Sequence, residues 1–154
     1  MFKEYELDIS FDMPAEDTFK HLERTHHPEG HPFRKTSFWK RSVLYKSDRL
    51  IACVFITPKG ETVPWHHDDI AYTTFNYVVK GRSPFVYRDG IPIYYKCAMF
   101  DVTKEHMVPS DSEDRILLKY SLMKRKYEDE VDLITAKLKG IPRLTHDEMI
   151  EILK

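Results

Sequence analysis

The sequence predicts a mainly β fold with flanking helices, an antiparallel sandwich or jelly roll. Between residues 41 and 122 the chain breaks into short segments rich in Val, Ile, Tyr and Phe, each bounded by turn residues, with no helical stretch between them. On either side the pattern changes. Pro14-Ala15-Glu16-Asp17 suits a first helical turn, and the residues beyond Leu122 carry apolar side chains at helical spacing. Closely spaced strands without intervening helices argue against a parallel α/β sheet.

Taken in order, the first nine residues alternate as a strand does, with Tyr5, Leu7 and Ile9 on one side. Pro14 and the acids behind it open a predicted N-terminal helix that carries Phe19 and Leu22 and ends before Thr25. Residues 25–32 hold proline, glycine and His26, His27 and His31 with no periodicity, and read as a solvated loop rather than a metal site. Strands are predicted at 41–45, 49–57, 73–79, 84–87, 91–96, 98–102 and 116–122. Asp89-Gly90, between FVY and IPIYY, is the strongest hairpin signal, because glycine tolerates the positive φ of a two-residue turn. Val131, Ile134 and Leu138 form a helical stripe stopped by Gly140 and Pro142. Thr145 with Glu148 makes a capping box for a last helix through Leu153. The expectation is one domain over 1–154, with a sheet core at about 41–122 and a helical extension at 123–154 covering one face of the sheet.

Composition narrows the function classes. Twenty-four Lys and Arg against 25 Asp and Glu leave a net charge of -1, which removes the electrostatic case for wrapping nucleic acid or lying on an anionic membrane. The longest apolar run, residues 50–56, is far short of a membrane span, and MFKEYELDIS lacks the apolar core of a signal peptide, so a cytoplasmic protein is expected. Cys53 and Cys97 sit among strand-like apolar residues and read as reduced core thiols.

The chemistry gathers at Val63-Pro64-Trp65-His66-His67-Asp68-Asp69, which holds two overlapping H-x-D patterns, His66 with Asp68 and His67 with Asp69. On a strand, residues two apart point to the same side, so either pair can reach one metal ion. A distant second histidine would complete a 2-His-1-carboxylate set, which leaves coordination positions open for oxygen chemistry. His21-Leu22-Glu23, His27-Pro28-Glu29 and His146-Asp147-Glu148 share the spacing, but none lies in the β region. Downstream, Glu105-His106-Met107-Val108-Pro109 supplies another histidine. Arg115 then starts an alternation in which Ile116, Leu118, Tyr120 and Leu122 face one side, and Arg115, Leu117, Lys119 and Ser121 the other. An inward arginine is costly unless paired. A carboxylate cosubstrate would match its guanidinium fork; pairing with Asp111, Glu113 or Asp114 at the strand's rim is the structural alternative.

Residues 50–122 resemble small Fe(II)- and 2-oxoglutarate-dependent dioxygenases, most of all the aspartyl/asparaginyl hydroxylase-like members of phage and bacteria. The features that carry the resemblance are Gly60-Glu61-Thr62-Val63-Pro64-Trp65-His66-His67-Asp68, then Asn76, the Asp89-Gly90 hairpin, His106-Met107-Val108-Pro109, and Arg115. It covers nearly half the chain. Ala71-Tyr72-Thr73 stands where many members carry an arginine shortly after the aspartate, and the segment between Asp68 and His106 is short. The resemblance implies a double-stranded β-helix of cupin-like type, with His66, Asp68 and His106 holding Fe(II). It further implies that Arg115, with Asn76 near it, binds 2-oxoglutarate. Pro64 and Asn76 favour His66 with Asp68 over His67 with Asp69.

The implied function is hydroxylation of a substrate by dioxygen with release of succinate and carbon dioxide, on an amino acid, a peptide or a small metabolite. Trp65, Tyr72, Tyr77, Tyr87, Tyr94 and Tyr95 supply aromatic surface, most of it read as packing. Arg82, Arg88 and Lys96 are candidates to receive an anionic substrate. The alternatives are a non-enzymatic cupin-like metal-binding module and a structural sandwich. Arg115 separates the first from the oxygenase, since a structural metal site needs no guanidinium beyond its last ligand.

Overall fold

The computed structural model of the chain describes residues 1–21, 39–88 and 90–154. The predicted loop with His26, His27 and His31, and Leu22 and Asp89, lie outside the described residues. The elements are β1 (Phe2–Glu4), β2 (Asp8–Ser10), a 3-10 turn (Glu16–Thr18), β3 (Lys20–His21), β4 (Lys40–Lys46), β5 (Leu50–Thr57), β6 (Val63–His66), β7 (Ala71–Lys80), β8 (Val86–Tyr87), β9 (Cys97–Asp101), β10 (His106–Val108), β11 (Arg115–Met123), α1 (Tyr127–Leu138), β12 (Arg143–Thr145) and α2 (His146–Leu153).

From β5 to β11 the chain steps alternately between two sheets. The odd-numbered strands of that stretch lie in a seven-stranded antiparallel sheet of order β1-β9-β7-β11-β5-β4-β3, and β6, β8 and β10 form a small sheet of order β6-β10-β8. Two facing sheets wound in this way are a jelly roll. β11 is central because both faces of its sequence are usable: Leu118, Tyr120 and Leu122 point to one core, while Arg115, Leu117 and Lys119 point between the sheets. Full-length pairing with β5 and β7 satisfies its backbone.

Against the outer face of the large sheet lie β2, β12 and both helices. Leu118, Tyr120 and Leu122 share a buried cluster with Ile134, Leu138, Met149 and Leu153. The C-terminal helices therefore support the sheet from behind and leave the space between the sheets free. Both halves of the Thr145–Glu148 capping box form, at 3.0 and 3.2 Å. Arg125, 9% exposed, closes this layer: Glu130 takes its Nε and Nη2 at 2.8 and 2.9 Å, and its Nη1 donates to the Leu153 carbonyl.

Over the described residues 14–21 the predicted N-terminal helix does not form. Its place is taken by the single 3-10 turn, after which Phe19 is already extended and β3 pairs with β4. The Thr18 hydroxyl bonds the Ala15 carbonyl and lies 2.8 Å from Ser42 Oγ on β4, so the turn is tied to the sheet edge. The predicted strand at 91–96 is reduced to a bridge between Ile93 and Phe85, because Pro84 and Pro92 have no N–H to continue a ladder. Cys53 and Cys97 are buried free thiols, and burial pushes Cys97 up to about 12. Among the described residues, no helix is long and apolar enough to cross a membrane.

Candidate metal centre and anion pocket

Strand pairing brings the two histidines together. β6 and β10 are antiparallel neighbours with His66 directly opposite His106, so their imidazoles share the face turned toward the large sheet. Their ring centroids are 4.2 Å apart. Each ring is held by the carbonyl two residues earlier: His66 Nδ1 lies 2.7 Å from the Pro64 oxygen, and His106 Nδ1 lies 2.7 Å from the Lys104 oxygen. A carbonyl only accepts, so both Nδ1 atoms carry the proton and both Nε2 lone pairs face the site.

Asp68 completes the group. It stands past the end of β6, held by its N–H on the Val102 carbonyl at 2.9 Å, so the chain's bend rather than strand alternation aims its carboxylate. Its Oδ1 is 3.3 Å from His66 Nε2 and 3.8 Å from His106 Nε2. The donor atoms of His66, Asp68 and His106 all lie within 4.8 Å of one another. Their side chains are 7%, 16% and 5% exposed, whereas His67 and Asp69, 3.2 Å apart, are 62% and 69% exposed. Of the two H-x-D pairs, the first is buried beside His106 and the second faces solvent.

Electrostatics keep the donors in their binding forms. Burial opposes ionising Asp68, but the positive charge beside it, Lys119 first, outweighs it and holds the carboxyl far below the usual carboxylate range. Burial, with His66 second, pushes His106 down to about 4, only partly countered by Asp68. Lys119 was not singled out from the sequence. Its Nζ is 3.7 Å from Asp68 Oδ2, and the inward alternation from Arg115 already contained it. Phe85 stacks on His106 at 4.7 Å and on Phe100 at 4.0 Å, sealing the buried side.

The triad opens onto a cavity of about 540 Å³ between the sheets. On its large-sheet wall, Arg115 is 6% exposed and donates from Nη2 to Tyr95 Oη at 3.1 Å. Asn76 Nδ2 meets the same hydroxyl at 3.2 Å. Arg115 Nε, Asn76 Oδ1 and Thr74 Oγ1 are buried with no hydrogen-bond partner among the described residues. The structural alternative for Arg115 fails: Asp111 Oδ2 accepts from Arg82 N, Ser83 N and Ser83 Oγ at 2.6–2.9 Å, and Asp114 accepts from Lys59 N. Among the described residues no carboxylate pairs with Arg115, in contrast to the fully engaged Arg125. Gly81 makes room for it: at φ +103, a Cβ there would sit 3.2 Å from both Cα and Cγ of Arg115.

Most of the aromatic residues read as packing lie away from the cavity. Trp65 faces outward under the Arg88 guanidinium at 4.3 Å, and Arg88 pairs with Glu105 at 3.0 Å. Tyr77 belongs to the outer core, with Lys96 over its ring; Tyr87 is buried with its hydroxyl on the Met1 and Asp101 carbonyls, and Tyr94 is exposed. Of these aromatics, Tyr95 is the one that bonds site residues, Asn76 and Arg115.

No protein-family model matches the chain, and no curated protein matches it. Solved structures similar to it include an RmlC-like cupin from Shewanella frigidimarina, at 16% identity over 77% of this chain and 96% of that one, with a TM-score of 0.49. A cupin superfamily protein from Desulfitobacterium hafniense matches at 17% identity over 69% and 98%, with a TM-score of 0.47. A structure of DMSP lyases matches at 14% identity over 56% of this chain and 48% of that one, with a TM-score of 0.48, so this chain spans about half its length. These likenesses carry no chemistry over to this chain.

Proposed function

We propose that the protein is an Fe(II)- and 2-oxoglutarate-dependent oxygenase that hydroxylates a small substrate. The observation that carries this reading is Arg115, a buried guanidinium without a carboxylate partner among the described residues, in the same cavity as a 2-His-1-carboxylate group. A buried charge left unpaired is expensive, so a site that keeps one is built for an anion that arrives.

The donor set fits a divalent first-row metal with open positions, with His66 Nε2, His106 Nε2 and Asp68 Oδ1 as its ligands. Arg115 would take the 2-oxoglutarate carboxylate remote from the metal. Asn76 stands beside it: Tyr95 Oη accepts from both Arg115 Nη2 and Asn76 Nδ2, which fixes the two side chains together on the cavity wall. Bound Fe(II) and 2-oxoglutarate would supply oxidation of a C–H bond by dioxygen, with succinate and carbon dioxide released. The chain's own part is to fix both histidine tautomers, keep Asp68 ionised, orient the cosubstrate, and exclude water with the Phe85–Phe100 stack. A cytoplasmic setting accords with two free thiols.

One observation favours the non-enzymatic alternative. Lys119 already gives Asp68 a cationic neighbour, as a site without metal would need. Visible absorption of anaerobic protein with Fe(II), before and after 2-oxoglutarate, separates the readings. A charge-transfer band that His66→Ala abolishes and that needs more 2-oxoglutarate in Arg115→Ala supports the oxygenase. Iron binding without a band leaves the metal module, and no metal binding leaves the structural sandwich.

A further inference from the structure

The cavity carries more positive charge than the metal and cosubstrate use. Arg41, Arg115 and Lys119 line it, against two carboxylates, Asp68 and Asp69. Asp69 is 69% exposed and lies 3.2 Å from His67, and Asp68 is shared between the two site histidines and Lys119. A divalent metal and the two carboxylates of 2-oxoglutarate cancel each other's charge, so loading the site leaves the excess in place. Loading also draws Asp68 onto the metal and takes from Lys119 part of its counter-charge.

Arg41 and Lys119 converge on one stretch of β5. Arg41 is half-buried on β4, opposite Phe55 of β5, and lies beside the Cys53 thiol. Cys53 is directly opposite Lys119 on β11, and Lys119 Nζ is 5.5 Å from the centre of the Phe55 ring. Among the described residues no carboxylate pairs with Arg41. Like charges gathered away from bulk water repel, and an anion bound between them relieves the repulsion. Arg115 is a separate anchor, about 13 Å of strand from Lys119.

We propose that Arg41 and Lys119 together receive an anionic group of the primary substrate, a carboxylate or a phosphate, and hold the rest of that substrate beside the metal. Both groups offer oxygens that accept from a guanidinium fork and an ammonium at once. The assignment rests on the oxygenase reading for what else fills the cavity; the pair of cations is a property of β4 and β11.

The test is methyl NMR of the full chain loaded with redox-silent Zn(II) and saturating 2-oxoglutarate, titrated with isobutyrate, inorganic phosphate and isobutanol. The reporters are Ile51 and Leu117, which line the cavity two residues from Cys53 and Lys119. Isobutyrate or phosphate is expected to shift their methyls and isobutanol to leave them in place, and the tighter anion names the source. Arg41→Met should weaken that anion about tenfold or more, and Arg41→Lys, which keeps the charge, should recover part of the loss. Absence of shifts with both anions, equal shifts with isobutanol, or unchanged affinity in Arg41→Met overturns the proposal. So does an Arg41→Met protein that needs as much extra 2-oxoglutarate for the Fe(II) band as Arg115→Ala does, because Arg41 then serves the cosubstrate. Anion shifts that depend on Arg41, without the band, remove the oxygenase reading and leave the cation pair; the band without anion shifts removes the pair alone.

Discussion

Replacing Arg115 with methionine is expected to stabilise the ligand-free protein while weakening its response to 2-oxoglutarate. In the folded chain this guanidinium is 6% exposed and bonded to one phenol, with Nε unpartnered among the described residues. Methionine gives up the Tyr95 bond, a loss of about 1.5–3 kcal/mol for a charged donor. It also ends an uncompensated burial that costs several kcal/mol, and fills the space with a flexible apolar chain. The net gain is about 1–2 kcal/mol, which at about 2–4 °C per kcal/mol for a domain of this size raises the melting temperature by roughly 2–8 °C. Zinc-loaded wild type in 2-oxoglutarate at one hundred times its Kd gains about 2.7 kcal/mol, and the variant, its affinity lowered about 100-fold by loss of the charged donor, gains about 0.4 kcal/mol. The order of melting therefore inverts: the variant melts higher without the ligand and lower with it. Scanning fluorimetry of both proteins, with and without 2-oxoglutarate, reads all four values. A variant that melts below wild type without ligand, or one that keeps the 2-oxoglutarate shift, refutes the reasoning.

Three further perturbations probe the same construction. His66→Ala should weaken Co(II) or Zn(II) binding by more than about 100-fold, while His67→Ala, whose ring is 62% exposed, should leave it within about twofold; metal titration by calorimetry compares them. Gly81→Ala must hold φ +103 and place a Cβ 3.2 Å from the Arg115 backbone, so it should cost about 1–3 kcal/mol in urea unfolding and raise the 2-oxoglutarate needed for half-maximal binding. Wild-type values for both would show that the close approach is immaterial. Glu130 is held below the usual carboxylate range by Arg125, so its contribution is present above the unfolded pKa of about 4.3 and is lost as pH falls. Glu130→Gln should therefore be less stable than wild type at pH 7, with the difference shrinking on acidification, as paired denaturation curves at pH 7 and pH 3 would record.

What the sequence determined by itself was local or periodic. The period-two run from Arg115 assigned β11, its two faces and the inward arginine, because alternation along a strand is fixed by the backbone. The Thr145–Glu148 box likewise announced α2, since capping chemistry needs no tertiary partner. The same locality explains the failures. Pro14 and its acids signal a helix, yet pairing of β3 with the sheet edge outweighs a nucleus of three residues, and β6, β10 and β12 are too short to show a period.

The tertiary structure decided the site. The spacing alone does not separate the two H-x-D pairs, which only the resemblance ranked, and the cross-strand register of β6 and β10 turns His66 inward to meet His106 while His67 faces solvent. Asp68 reaches them through a bend anchored on Val102, which no periodicity encodes. Whether Arg115 was paired also lay beyond the sequence, because Asp111 and Asp114 were near enough in the chain to take it. The fold spends both on backbone N–H groups instead, and the guanidinium stays open to the cavity. Side-chain type and strand period are local properties of the chain; which donors face one another depends on contacts between residues far apart in it.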